Sequence, residues 1–146
     1  MVGMFELYKR NRENKEEGAL FKLIDERVFF IRGRRVILSV HLADLYGIEP
    51  RVLMQAVKRN KARFPDSFVF QLNAIEFSAL KSQSVISKYN SIRRSLPYAF
   101  SEAGVMMLAS VLRNPRISAM NIAIVQFFAR PHRPYLKTQF VLPELW

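Results

Sequence analysis

A glycine and a proline three residues apart, Gly47 and Pro50, constrain this chain more than any other feature. Upstream, Leu42, Leu45 and Tyr46 give one apolar face to a short helix read from Val40 to Tyr46, with Ser39 as its N-cap. Gly47 ends it, because glycine takes the left-handed conformation without a side-chain penalty. Pro50 suits the first turn of a second helix, where the missing N–H needs no partner. That helix is read to Arg63, and Pro65 stops it. The stretch LADLYGIEPRVLMQAVKRN therefore predicts two helices joined by a tight turn. A DNA-reading helix-turn-helix needs a small residue at the crossing, a glycine in the turn and an apolar docking residue in the second helix. Ala43, Gly47 and Leu53 meet these demands, although other helix pairs also contain the same Ala–Gly spacing.

The faces of the second helix sharpen the reading. Leu53, Ala56, Val57, Asn60 and Phe64 fall on one side, and Arg51, Gln55, Lys58, Arg59 and Ala62 on the other. Between Pro50 and Pro65 there are five basic residues, Arg51, Lys58, Arg59, Lys61 and Arg63, and no acid. An ordinary solvated face mixes both signs. Arginine bonds guanine and glutamine bonds adenine bidentately, so Arg51 and Gln55 are the candidate base readers. Lys58, Arg59, Lys61 and Arg63 suit phosphates. The whole chain carries 23 Lys and Arg against 12 Asp and Glu, a formal charge of +11, which points to a polyanionic partner. From Ala103 to Pro143 every charge is basic, and acids gather towards the N-terminus.

Around this pair the sequence predicts an α+β domain. Residues 1–22 are polar and mixed in charge, and read as a mobile arm or a marginal helix. VFFIRGRRVILSV, from Val28, suits a hairpin turning at Gly33-Arg34 with glycine at the first turn position. Arg32, Arg34 and Arg35 then sit at its tip, either as a solubilising turn or as phosphate contacts. FVFQL (68–72) and PYAF (97–100) form a short two-stranded sheet, with Phe68, Phe70 and Leu72 on one face of the first strand. The serine-rich segment 82–95 reads as an exposed, wing-like loop whose Lys88, Arg93 and Arg94 reach the DNA backbone. Asn73 caps a helix to Ser82, and Ser101 caps one to Leu112. Asn114-Pro115 breaks the chain before a last helix, Ile117 to Ala129. Met106, Met107 and Met120 read as core filler, and Phe127 and Phe128 as core or dimer interface. Residues 131–146 form an irregular, proline-containing tail.

Four blocks carry a resemblance: LADLYGIEPRVLMQAVKRN, RFPDSFVFQL, LPYAFSEAGVMMLASVL and NIAIVQFF. Together they resemble the KilA-N family of phage and large-virus DNA-binding domains, in the branch named after the N-terminal domain of phage open reading frame six. The resemblance runs from about Leu23 to Phe128, making 23–130 the DNA-binding domain. It implies a small α+β fold found in phage antirepressors and prophage regulators. Carried over residue by residue, the VKRN motif is Val57, Lys58, Arg59 and Asn60. The RFP turn is Arg63, Phe64 and Pro65, and the Ser-Glu-x-Gly cap is Ser101, Glu102 and Gly104. The family's acidic pair before the strand phenylalanine is here Asp66-Ser67, which implies a local change in turn capping. Family members commonly continue the last helix into a coiled coil or second domain, whereas this chain meets Pro131 and Pro134; the tail is read either as native or as a truncated remnant.

The expected partner is double-stranded DNA, contacted by a transcriptional regulator of cytoplasmic, nucleoid-associated type. Two protein partners stay open: a second copy of the chain, pairing through 117–129, and a repressor bound by an antirepressor module. No membrane partner, cofactor or metal is expected, because the chain has no cysteine and the longest apolar runs are too short to span a bilayer. An enzyme is not expected either: His41 and His132 stand far apart and unaccompanied, and His41 reads as a surface residue near a helix start.

Overall fold

The computed structural model describes residues 3–82, 95–130 and 139–140. Helix α1 (Met4–Asp25) leads into strands β1 (Val28–Ile31) and β2 (Arg34–Leu38). Helices α2 (Ser39–Tyr46) and α3 (Pro50–Arg59) follow, then a 3-10 turn at Lys61–Arg63. Strand β3 (Val69–Gln71), helix α4 (Ala74–Ser82), strand β4 (Tyr98–Ser101), helix α5 (Glu102–Val111), helix α6 (Pro115–Ala129) and strand β5 (Gln139–Phe140) complete the order. The fold is α+β, as expected.

The hairpin and the two-stranded element are one sheet. Its order is β3-β4-β2-β1-β5, antiparallel except for β5, which runs parallel to β1. β4 pairs with β3 at Phe70↔Ala99 and with β2 at Ile37↔Phe100. Neighbouring residues feed opposite cores. Val28, Ile37 and Phe100 face a cluster built with α1, α2, α3, α5 and α6. Phe29, Ile31, Val36, Leu38, Phe70, Leu72 and Ala99 face a second cluster closed by Leu80 of α4. A sheet covered on both sides has no water-facing register, which is why its strands are unbroken apolar runs such as VFF and VIL. Phe68 departs from the expected face: it precedes β3 and packs with the larger cluster, opposite Phe70 and Leu72.

The hairpin turns one residue earlier than expected, at Arg32-Gly33, with Ile31 opposite Arg34. Both turn residues have positive φ (54° and 74°), the condition for a type I′ turn. A non-glycine residue there costs about 1–2 kcal/mol. Arg32 is held by long-range contacts that offset this cost. Its Nε and Nη2 each donate to Glu76 at 2.9 Å, and its guanidinium lies 4.3 Å from the Phe70 ring centroid. Glu76 also accepts the Asn73 N–H while Asn73 Oδ1 accepts the Glu76 N–H, a reciprocal cap that starts α4. Burial pushes the Glu76 carboxyl up, but Arg32 and the Asn73 amide outweigh it and hold the group below its ordinary range.

Three other local expectations are corrected. Ser39 is the first residue of α2, and Leu38 stands at the N-cap; the Ser39 hydroxyl accepts the Tyr98 N–H of β4 instead. His41 is buried, stacked on Phe29 at 6.0 Å, because α2 is wedged between sheet and helices and exposes only Asp44. Met106, assigned to the core, is exposed. Of the two readings of the N-terminal segment, arm or helix, the structure has the helix, over residues 4–25. Leu20, Phe21 and Ile24 dock its end on α6, with Phe21 and Phe127 rings 4.7 Å apart. Buried Tyr46 donates to Asn121 Oδ1, and Asn121 Nδ2 donates to the Val105 carbonyl, linking α2, α6 and α5.

Candidate nucleic-acid interface

The α2–α3 pair is set by its turn. Gly47 holds φ 73° and ψ 32°, the left-handed region, and caps α2. Its N–H donates to the Asp44 carbonyl and that of Ile48 to the Ala43 carbonyl, satisfying the carbonyls left over at a helix end. Pro50 opens α3. Ala43 and Leu53 are fully buried where the helices meet.

Leu53 and Val57 fix the inward face of α3, and Phe64 continues it beyond the helix. The helix is shorter than expected. It ends at Arg59 because Asn60 leaves the helical region (φ −120°, ψ 35°), its side chain bonded back to the Ala56 carbonyl at 2.8 Å. Lys61, Ala62 and Arg63 therefore continue in a 3-10 turn rather than on the helix face.

The outward face carries Arg51, Gln55 and Lys58, spaced i, i+4 and i+7, which stacks them along one stripe about 10 Å long at a rise of about 1.5 Å per residue. Arg59, Lys61 and Arg63 are also exposed. Arg51 lies 3.4 Å from Glu49, a solvated pair with side chains 76% and 72% exposed, so it is held by about 1 kcal/mol or less. Arg63 donates to Ser110 Oγ of α5 at 3.4 Å. The side chains of Gln55, Lys58, Arg59 and Lys61 make no hydrogen bond or ion pair among the described residues. Their donors face water.

The hairpin arginines are not part of this face. Arg32 is bound to Glu76, Arg34 donates to the Ser67 carbonyl at 3.1 Å, and Arg35 donates to the Phe128 carbonyl at 2.8 Å. They tie the hairpin to neighbouring elements. Lys88, Arg93 and Arg94 lie outside the described residues. Sequence reasoning missed Arg116. Its guanidinium rests on the α2–α3 turn, so that a Cβ placed on Gly47 would fall 2.8 Å from Arg116 Cζ. The available signal was the acid-free run after Ala103, but Asn114-Pro115 reads as a break. In the structure Asn114 caps α6 through the Arg116 N–H, and the first turn of α6 returns to Gly47.

SEAG is a cap and a close approach. Ser101 Oγ accepts the Gly104 N–H and donates to the Ser67 carbonyl, and Gly104 packs against the Phe68 carbonyl. Among the described residues no group of three His, Asp or Glu side chains stands as a metal site requires, and no helix is long and apolar enough to cross a membrane.

Fold and site together define a small α+β domain that turns an acid-free, cationic helix face to solvent. The chain belongs to the ORF6N domain family, whose model matches residues 26–111, more than half of its length. That membership places it with phage-type regulatory proteins. No curated protein and no solved structure matches it.

Proposed function

We propose that this chain is a sequence-specific, double-stranded DNA-binding domain of KilA-N type, non-catalytic, acting as a phage or prophage transcriptional regulator. One observation carries the reading: α3 is anchored by Leu53 and Val57 and presents Arg51, Gln55 and Lys58 as an exposed stripe, with no acid between Pro50 and Pro65. In this reading α3 enters the major groove as the second helix of a helix-turn-helix. Arg51 and Gln55, near its start, read base edges. Lys58 and Arg59, further along, hold phosphates with Lys61 and Arg63.

The test is selection of bound sites from random duplexes, followed by salt titration of the selected site. About five phosphate contacts give a slope of log K against log salt of about −4 to −5. A flat salt response, or no enriched site, overturns the reading. The competing reading is a module that docks a repressor, or a second copy, through α6. Less supports it: Ile117, Ile124, Phe127 and Phe128 of α6 lie in the core, and Ile122 is its exposed large aliphatic. Capture of a repressor by a protein with no duplex affinity would favour that reading.

A further inference from the structure

We infer that the corner between α5 and α6 is a second phosphate-binding ledge beside α3, with Arg116 as its principal cation and Arg113 as its second. The inference rests on the DNA-binding reading and extends it to an element that carries no part of the helix pair. The corner meets the α2–α3 unit at two places. Ser110, near the end of α5, accepts from Arg63 just beyond α3. Arg116, in the first turn of α6, lies on the turn that precedes α3. Leu112–Asn114 connects these points and carries the exposed Arg113. Ile117, buried directly after Arg116, pins the corner to the core.

Arg116 is seated and uncompensated. Its Cζ, Nε and Nη2 would lie 2.8, 2.9 and 3.1 Å from a Cβ on Gly47, so the missing side chain is the seat. The guanidinium makes no ion pair among the described residues. The acids of this end, Asp44 and Glu49, are engaged by Arg27 at 3.5 Å and Arg51 at 3.4 Å. From Ala103 to Pro143 the chain supplies no acid that would neutralise it. A helix laid in a major groove runs between two phosphate backbones, and an exposed cation beside its N-terminal end suits one of them. Gly47 then meets two demands, positive φ and room for Arg116. The bland role for Arg116 is to complement the C-terminal carbonyls of α2. That role would show in stability alone.

The experiment measures salt-dependent binding of the full chain to its selected duplex and to a random duplex, alongside the melting temperature. Arg116→Ala is expected to reduce the salt slope by about 0.9, the value for one phosphate, and to weaken both duplexes by the same factor. Adding Arg113→Ala is expected to reduce the slope by the same amount again. Arg116→Lys is expected to keep the slope. Gly47→Asn tolerates positive φ yet fills the seat. It should weaken binding in the wild-type background and add nothing to Arg116→Ala. If wild type binds with the full slope and both the Arg116→Ala protein and the Arg116→Ala, Arg113→Ala double variant keep that slope, the ledge is refuted, whatever happens to the melting temperature. Should Arg116→Ala unfold, Arg113→Ala alone decides by the same criterion, since Arg113 is exposed and bonded to nothing among the described residues. If wild type binds no duplex, the DNA reading itself falls and the ledge with it.

Discussion

Gly104→Ala should lower the melting temperature, against the usual gain for replacing a helical glycine. A Cβ built on Gly104 falls 2.1 Å from the Phe68 carbonyl oxygen and 2.9 Å from its carbon. An unstrained carbon–oxygen contact needs about 3.3 Å, so one backbone must retreat by about 1 Å. That retreat is costly because the same oxygen accepts the Ser101 N–H at 3.0 Å, and Ser101 Oγ, which caps α5, also bonds Ser67 and Phe68. Overpacking costs about 1–3 kcal/mol, a weakened hydrogen bond about 0.5–1.5, and a disturbed cap about 1. Alanine's better helix propensity returns about 1 kcal/mol. The net is about 1.5–4.5 kcal/mol, or about 5–14 °C at about 3 °C per kcal/mol for a chain of this size. Thermal unfolding followed by circular dichroism reads the effect directly. An unchanged or raised melting temperature would refute the close approach, because a helical glycine with open space beside it gains stability on becoming alanine.

Gly47→Val should destabilise by about 1–3 kcal/mol through backbone strain at positive φ and should weaken duplex binding in parallel; an unchanged melting temperature would contradict the turn geometry. Gln55→Ala should flatten preference at one or two base pairs of the selected site, whereas Lys58→Ala should weaken all duplexes alike and reduce the salt slope by about one. A shift of base preference in Lys58→Ala would mean that α3 is rotated from the orientation argued above. The Arg32–Glu76 pair makes stability acid-sensitive. The folded-state carboxyl titrates below its ordinary value, so its contribution is complete above about pH 4.3 and is lost as pH falls through the folded-state value. Glu76→Gln should cost about 1–2 kcal/mol at neutral pH, discounted because the Arg32 side chain is 43% exposed, and should flatten the acid limb of a melting-temperature profile. An identical acid limb in the variant would remove the pair from the account.

What could be read from the sequence was local. Gly47 and Pro50 announce a helix end and a helix start through their own backbone chemistry, and Asn73 and Ser101 announce caps through side chains that reach three residues ahead. The faces of α3 followed from helical spacing alone. What could not be read was set by partners far along the chain. Arg32 enters the hairpin turn because Glu76, 44 residues on, holds its guanidinium. β4 lies between β3 and β2, a pairing that no local period encodes. His41 is polar and sits at a helix start, yet packing on Phe29 takes it from water. Arg116 was invisible as a site residue for the same reason: its neighbour across the turn is Gly47, and nothing adjacent in sequence reports that.

The outward stripe of α3 has a consequence for how such a chain can change. The side chains of Gln55, Lys58, Arg59 and Lys61 bond to nothing else among the described residues, whereas Leu53 and Val57 beneath them are buried in the core. Folding tolerates most residues at these outer positions, proline and glycine excepted, since exposed substitutions away from such contacts change stability by about 0.5 kcal/mol or less. A randomised library at 51, 55, 58 and 59 should therefore return mostly folded members with new preferences. If α3 reads DNA as proposed, a lineage carrying this domain can be retargeted a codon at a time, without passing through an unfolded ancestor.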